Sequence, residues 1–270
     1  MGLQQERRDW LAVAVRAAAA GADVIRAAAP DVRTLDWQSK GPTDFVSEVD
    51  LAAEAAILQV MAAGIPQATV LAEESAARVG RDRLEEGVAV VVDPLDGTTN
   101  FLHGFPAYAV SIAILAEGEP VVAVVHDVPR GEVFTARAGA GAFANGTPIR
   151  VSEIADPRRA LVGTGFPFKS AAEIAPYQRQ MAAVMAETAG LRRPGAASLD
   201  LASVACGRFE AFWERELAPW DFAAGMLLVR EAGGVATDCE GTHLRAFAPS
   251  SVLAGNPAMH AWLLRTLSAS

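Results

Sequence analysis

An α/β (α+β) fold in two packed parts is what this sequence predicts, on three observations. Short β-branched runs crowd the first half of the chain, and helical and strand-like patterns alternate after about residue 150. Apolar residues make up 51% of the 270, enough to bury a substantial core. The change of pattern places a boundary near Val151 to Asp156, between a part spanning 1–150 and a part spanning 151–270 that together form one compact unit.

The elements follow in order. From Asp9 to Ala28, Leu11, Val15, Ala18, Ala22 and Ile25 recur near helical spacing. Arg7-Arg8 precedes this apolar stretch as in a twin-arginine leader, but Arg16 and Asp23 interrupt it, so a helix packed on the domain is expected instead. Asp50 to Ala63 reads as a second helix, stopped by Gly64-Ile65-Pro66. Between the two helices, Asp36 to Val49 has no sustained period and contains Lys40-Gly41-Pro42, which favours a loop or hairpin.

Thr69 to Leu71 and Val88 to Val92 are strand-like and run straight into Glu73-Glu74 and Asp93. Val110 to Ala116 and Val121 to His126 are further strands joined by a hairpin turn at Glu117-Gly118-Glu119-Pro120. Glu132 to Ala136 and Gly141 to Ala144 extend that sheet, with Asn145-Gly146 turning the chain. Helices are expected over Ala171 to Ala189, Leu199 to Cys206, Asp221 to Ala232 and from Pro257 onward. Strands are expected at Ala211 to Trp213, near Val235 and near Ser251.

Composition excludes several functions. The formal net charge of −9, with no Lys/Arg block, opposes autonomous nucleic-acid binding. No uncharged run is long enough to span a bilayer. Cys206 and Cys239 are the only cysteines, and a disulfide framework for so long a chain needs more, so a reducing cytoplasm is the expected setting. There is no Cys-x₅-Arg phosphate loop, no Gly-x₄-Gly-Lys-Ser/Thr run and no nucleophile elbow. His103, His126, His243 and His260 are scattered and read as surface or core histidines.

The most informative segment is Asp93-Pro94-Leu95-Asp96-Gly97-Thr98-Thr99-Asn100-Phe101. Asp93, Asp96 and the Leu95 carbonyl offer hard oxygens on one tight turn, a set that suits Mg²⁺. Gly97 lets the backbone approach an anion, and the Gly97 and Thr98 amides suit phosphate oxygens. Taken alone, Asp-Pro-x-Asp-Gly is also an ordinary turn, and Asp221 in Pro219-Trp220-Asp221-Phe222 is also an ordinary charge at a helix start.

Taken with Leu71-Ala72-Glu73-Glu74-Ser75, these segments resemble the signatures of the inositol monophosphatase family, part of a superfamily of metal-dependent, lithium-sensitive phosphatases. The resemblance extends to Asp44 to Asp50, Gly163 to Phe168, Gly195 to Asp200 and Ala254 to Pro257, nearly the whole chain. It implies a layered αβαβα sandwich of the inositol monophosphatase/fructose-1,6-bisphosphatase type, a homodimer, and Mg²⁺ as cofactor, two or three ions per site. By the same resemblance Glu73, Asp93 and the Leu95 carbonyl hold one ion and Asp93, Asp96 and Asp221 a second, with Glu73 and water associated with a third. Thr98 and Asp50, with Glu73 alongside, assist deprotonation of the attacking water, and Gly97 and Thr98 bind phosphate. Asp50 also opens a helix and has capping as its other role.

Gly195, Ala196 and Ala197 match the segment lining the sugar side of the pocket, and Glu214 matches a glutamate that accepts sugar hydroxyls. Ala196 and Glu210 replace a threonine and an aspartate of animal relatives. The loop after Lys40 is one residue shorter than theirs. The expected reaction is hydrolysis of a sugar or inositol phosphate, myo-inositol 1-phosphate first. 3′-Phosphoadenosine-5′-phosphate, fructose-1,6-bisphosphate and histidinol phosphate are the alternatives, and a regulatory protein keeping the fold but acting through partners is the rival of another kind.

Overall fold

The computed structural model describes residues 3–34, 37–41, 44–75, 84–168 and 170–270. Helices α1 (Leu3–Ala28) and α2 (Glu48–Gly64) flank a hairpin of β1 (Trp37–Gly41) and β2 (Asp44–Ser47), as the aperiodic stretch between them predicts. Lys40 lies in β1, and its side chain is outside the described residues. The first large sheet follows in chain order: β3 (Thr69–Ala72), β4 (Val88–Asp96), then after a short helix α3 (Thr98–Leu102), β5 (Ala109–Ala116), β6 (Glu119–Asp127), β7 (Glu132–Arg137), β8 (Ala142–Ala144) and β9 (Thr147–Ile149). Only β3 and β4 are parallel neighbours; the remaining pairs are antiparallel. Both expected turns are present. Glu117 (φ 52°) with Gly118 (φ 76°), and Asn145 (φ 47°) with Gly146 (φ 77°), are two-residue connections with both residues left-handed, the backbone that suits twisted hairpins.

The second sheet alternates with helices: β10 (Leu161–Thr164), α4 (Ala171–Glu187), β11 (Gly190–Arg192), α5 (Ala197–Ala205), β12 (Ala211–Leu217), α6 (Pro219–Glu231), β13 (Val235–Thr237), β14 (Ser250–Gly255) and α7 (Pro257–Ser268). Its strand order is β11-β10-β12-β14-β13. The sequence does not announce β9, β10 or β11. Each has three or four residues, too few for a period, and β10 is held by parallel pairing on both sides, which overrides a weak local preference.

Five layers result. Along β4 to β6, Val90, Val92, Ile112, Ile114 and Val122 pack with Trp10, Ala14, Ala18 and Ile57 of α1 and α2. On the opposite face, Ala89, Val91, Ala113 and Val125 meet Leu201, Val204, Met226 and Leu228 of α5 and α6, which also contact Phe212 and Val252 of the second sheet. Helices α4 and α7 cover the outer side of that sheet through Tyr177, Val184, Met259 and Leu263. Burial on both faces explains why β4 reads as an unbroken apolar run, each buried valine contributing roughly 1.5–3 kcal/mol. Close approach of α5 and α6 requires Gly225, where a Cβ would lie 2.5 Å from Leu201 Cβ.

No helix among the described residues is long and apolar enough to cross a membrane. Cys206 and Cys239 are both free thiols, and burial pushes Cys239 up to about 11. His126 and His260 are buried, whereas His103 and His243 are exposed.

Candidate active site

The site begins where β4 stops being regular. Asp93 pairs with Ser111 and Asp96 with Ala109, so three steps on β4 oppose two on β5, a β-bulge with Pro94 inside it. The sequence suggests a turn after Val92; the structure continues the strand through this bulge to Asp96. Asp93 and Asp96 both face one cavity of about 460 Å³ and are almost fully buried. Glu73, at the end of β3, lines the same cavity, its amide donating to Val92 O at 3.1 Å. Asp221 enters from the first turn of α6, where its Oδ2 also accepts the Ala218 amide at 2.7 Å.

Electrostatics show how closely these groups converge. Burial, then the charges of Glu73, Asp96 and Asp221, hold the Asp93 carboxyl well above the usual carboxylate range. Burial likewise pushes Asp96 up to about 6, against two hydrogen bonds from Ser198 that favour its charged form. Those bonds are short: Ser198 N donates to Asp96 Oδ2 at 2.8 Å and Ser198 Oγ at 2.5 Å. Four converging carboxylates are a hard oxygen donor set whose mutual repulsion a divalent cation relieves, so the residues present fit Mg²⁺. Among the described residues no three acidic, histidine or cysteine groups enclose a single ion position. Asp93 Oδ1 instead accepts the Leu95 amide at 3.0 Å.

Gly97 turns the chain out of β4 with φ 91° and ψ 33°, and a Cβ there would lie 2.7 Å from Ala107 O, so only glycine fits. Thr98 then opens α3. Its hydroxyl lies 2.9 Å from Asp50 Oδ1 and 3.0 Å from Leu95 O. Asp50 Oδ2 meanwhile accepts the Ser47 amide at 2.9 Å and the Ser47 hydroxyl at 2.6 Å, closing a capping box on α2. Asp50 is buried behind Thr98 and does not line the cavity.

Gly195, Ala197 and Glu214 line the far side. Ala196, between Gly195 and Ala197 at the N-terminal cap of α5, is buried, 1% exposed. Glu214 packs against Gly165, where a Cβ would fall 1.8 Å from the carboxylate carbon. Glu210 is buried elsewhere, with Oε2 accepting the Leu161 amide at 2.6 Å.

Sequence reasoning gave no role to Asn100, Ser198, Arg193, Phe166 or Phe168. Asn100 Nδ2 reaches Ala107 O at 2.7 Å, Pro194 O at 2.9 Å and Gly195 O at 3.2 Å, joining the two sides of the cavity. The one signal for Ser198 is that Ala196 offers α5 no capping side chain, so its first amides need a partner from elsewhere.

Known proteins resemble this chain over nearly its whole length. A model of the inositol monophosphatase family matches residues 6–270. The Nus factor SuhB of Salmonella typhimurium (strain 14028s / SGSC 2262) is 45% identical over 247 residues, covering 92% of this chain and 91% of that one. An inositol-1-monophosphatase of Rhizobium meliloti (strain 1021) is 45% identical over 226 residues, 84% of each chain. The extragenic suppressor protein suhB from Bartonella henselae superposes with a TM-score of 0.88 at 40% identity, over 94% of this chain and 96% of that one.

Proposed function

The chain belongs to the inositol monophosphatase family, and from that premise we propose that it hydrolyses phosphomonoesters with Mg²⁺ as cofactor, myo-inositol 1-phosphate foremost. The observation that carries the proposal is the meeting of Glu73, Asp93, Asp96 and Asp221 in one cavity beside the hydrogen-bonded Thr98–Asp50 pair. Glu73, Asp93 and the Leu95 carbonyl would hold one ion, and Asp93, Asp96 and Asp221 another, with Glu73 beside a third. When bound, the metal lowers the pKa of water and neutralises charge on the leaving oxygen.

The residues of the chain do the rest. Thr98 passes its own proton to Asp50 Oδ1 as its hydroxyl oxygen takes the proton of the attacking water, with Leu95 O helping to orient the hydroxyl. Gly97 and Thr98 hold the phosphate. Water attacks phosphorus in line and the alcohol departs on the opposite side, with no covalent phosphoenzyme. Glu214, fixed against Gly165, accepts hydroxyls of the alcohol, while Gly195 and Ala197 shape that side. Parts 1–150 and 151–270 both contribute, which supports treating them as subdomains of one unit. A homodimer and inhibition by Li⁺ rest on the family alone, and a cytoplasmic location on the two free cysteines.

The test is a panel of sugar and nucleotide monophosphates with and without Mg²⁺. Mg²⁺-dependent release of phosphate, fastest from myo-inositol 1-phosphate, is expected; no release from any member would sink the proposal. A second reading is favoured by relatives named Nus factor: a regulatory role through partners. Replacing Asp93→Asn separates the two. Cellular function that survives in a folded, inactive variant would assign it to partner binding.

A further inference from the structure

Helix α2 buries two carboxylates, Asp50 and Glu54, at a spacing that places them on one face of the helix. Asp50 reaches the Thr98 hydroxyl at 2.9 Å. Glu54 reaches a different loop of the site, where its Oε2 accepts the Glu74 amide at 2.9 Å. Its neighbours along α2, Ala53, Ile57 and Met61, belong to the apolar core, so a carboxylate there is costly unless it is hydrogen-bonded.

The Glu74 amide belongs to the peptide unit that joins Glu73 to Glu74. The preceding unit is held as well, because the Glu73 amide donates to Val92 O at 3.1 Å, beside Asp93. Peptide units are planar, so fixing the two that flank one Cα fixes both its φ and its ψ. The direction in which the Glu73 side chain leaves the backbone is thus set from β4 on one side and from α2 on the other. Pairing of β3 with β4 ends at Ala72 and Val92, so the second unit is anchored by Glu54 rather than by the ladder. Glu73 lines the cavity, and Glu54 does not.

We propose that Glu54 is a positioning residue for Glu73, its carboxylate oxygen acting from behind the cavity wall to aim a Mg²⁺ ligand that it does not itself touch. The inference rests on the reading of Glu73, Asp93, Asp96 and Asp221 as a Mg²⁺ site and adds to it a residue outside the donor set.

The test is calorimetric titration of Mg²⁺ into the chelator-treated and dialysed full chain, with no substrate present. Glu54→Ala should raise Kd about 10-fold, the usual cost of removing a group that orients a metal ligand. Glu54→Gln keeps an acceptor oxygen and should stay within about two-fold of the native Kd. Ile57→Val trims the core on the same helix and should leave Kd unchanged, which separates aiming of Glu73 from general loosening of α2. If Glu54→Ala does not fold, Glu54→Asp takes its place, since a side chain one methylene shorter withdraws the oxygen. Equal Kd for the native protein and Glu54→Ala overturns the role of Glu54 and leaves the Mg²⁺ site standing. So does a Glu54→Gln as weak as Glu54→Ala, or a comparable weakening by Ile57→Val. A native protein that binds no Mg²⁺ overturns the site itself, and the positioning role with it.

Discussion

The Asp50 carboxylate divides its oxygens, Oδ2 closing the capping box of α2 and Oδ1 lying 2.9 Å from the Thr98 hydroxyl. From sequence these were alternatives, because either role needs a carboxylate at that position; two oxygens make them compatible. Thr98→Ala is expected to lower kcat by about 100-fold or more, the usual worth of a positioned proton acceptor, and to cost about 1–3 kcal/mol of stability because the buried Asp50 Oδ1 loses its donor. Thr98→Ser should recover most of the rate, and steady-state kinetics with Mg²⁺ check both. Asp93, Asp96 and Thr98 were legible because their chemistry sits in one short local motif, whereas Glu214 was reached only through the family resemblance. Asn100 and Ser198 were not, since their partners Pro194 and Asp96 lie 94 and 102 positions away.

Helix α5 begins without a capping side chain of its own, and the Asp96 carboxylate of β4 supplies the missing acceptor from across the layer. Ser198→Ala removes one of its two donors to Asp96 Oδ2 while the backbone bond stays. It should destabilise the metal-free protein by roughly 1–3 kcal/mol, the cost of leaving a buried polar group short of a partner. Urea unfolding with chelator measures this; an unchanged midpoint would mean that the hydroxyl bond contributes nothing. Elements of this kind mark the limit of local reading. Helices and strands with sustained apolar periods stand near their expected ends, apart from α1, which begins at Leu3 ahead of the expected Asp9, whereas β9, β10 and β11 exist through pairing with neighbours that no local pattern displays.

Across the whole molecule, α5 and α6 share one core with both sheets, and the carboxylates approach the cavity from β3, β4 and α6. Cation binding and the packing of these layers are thus linked. Asp96 has a folded-state pKa of about 6, above its unfolded value, so the metal-free fold takes up a proton and its contribution to stability declines as pH rises through that range. Mg²⁺, bound by the native state, offsets that loss. The rise in melting temperature on adding Mg²⁺ to chelated protein should therefore be larger at pH 7.5 than at pH 5.5. Differential scanning at both pH values checks this, and equal shifts would contradict it. Along β4, Ala89, Val91 and Asp93 point toward the middle helices, and Val90 and Val92 toward α1 and α2. Counting onward by twos would put Asp96 with the valines. The extra residue of the bulge reverses the count, so the Leu95 side chain joins the outer core and Asp96 faces the cavity. The donor set thus depends on parity as well as on residue type: descent by substitution at position 94 keeps the two carboxylates together, whereas losing or gaining one residue between them divides them across the sheet.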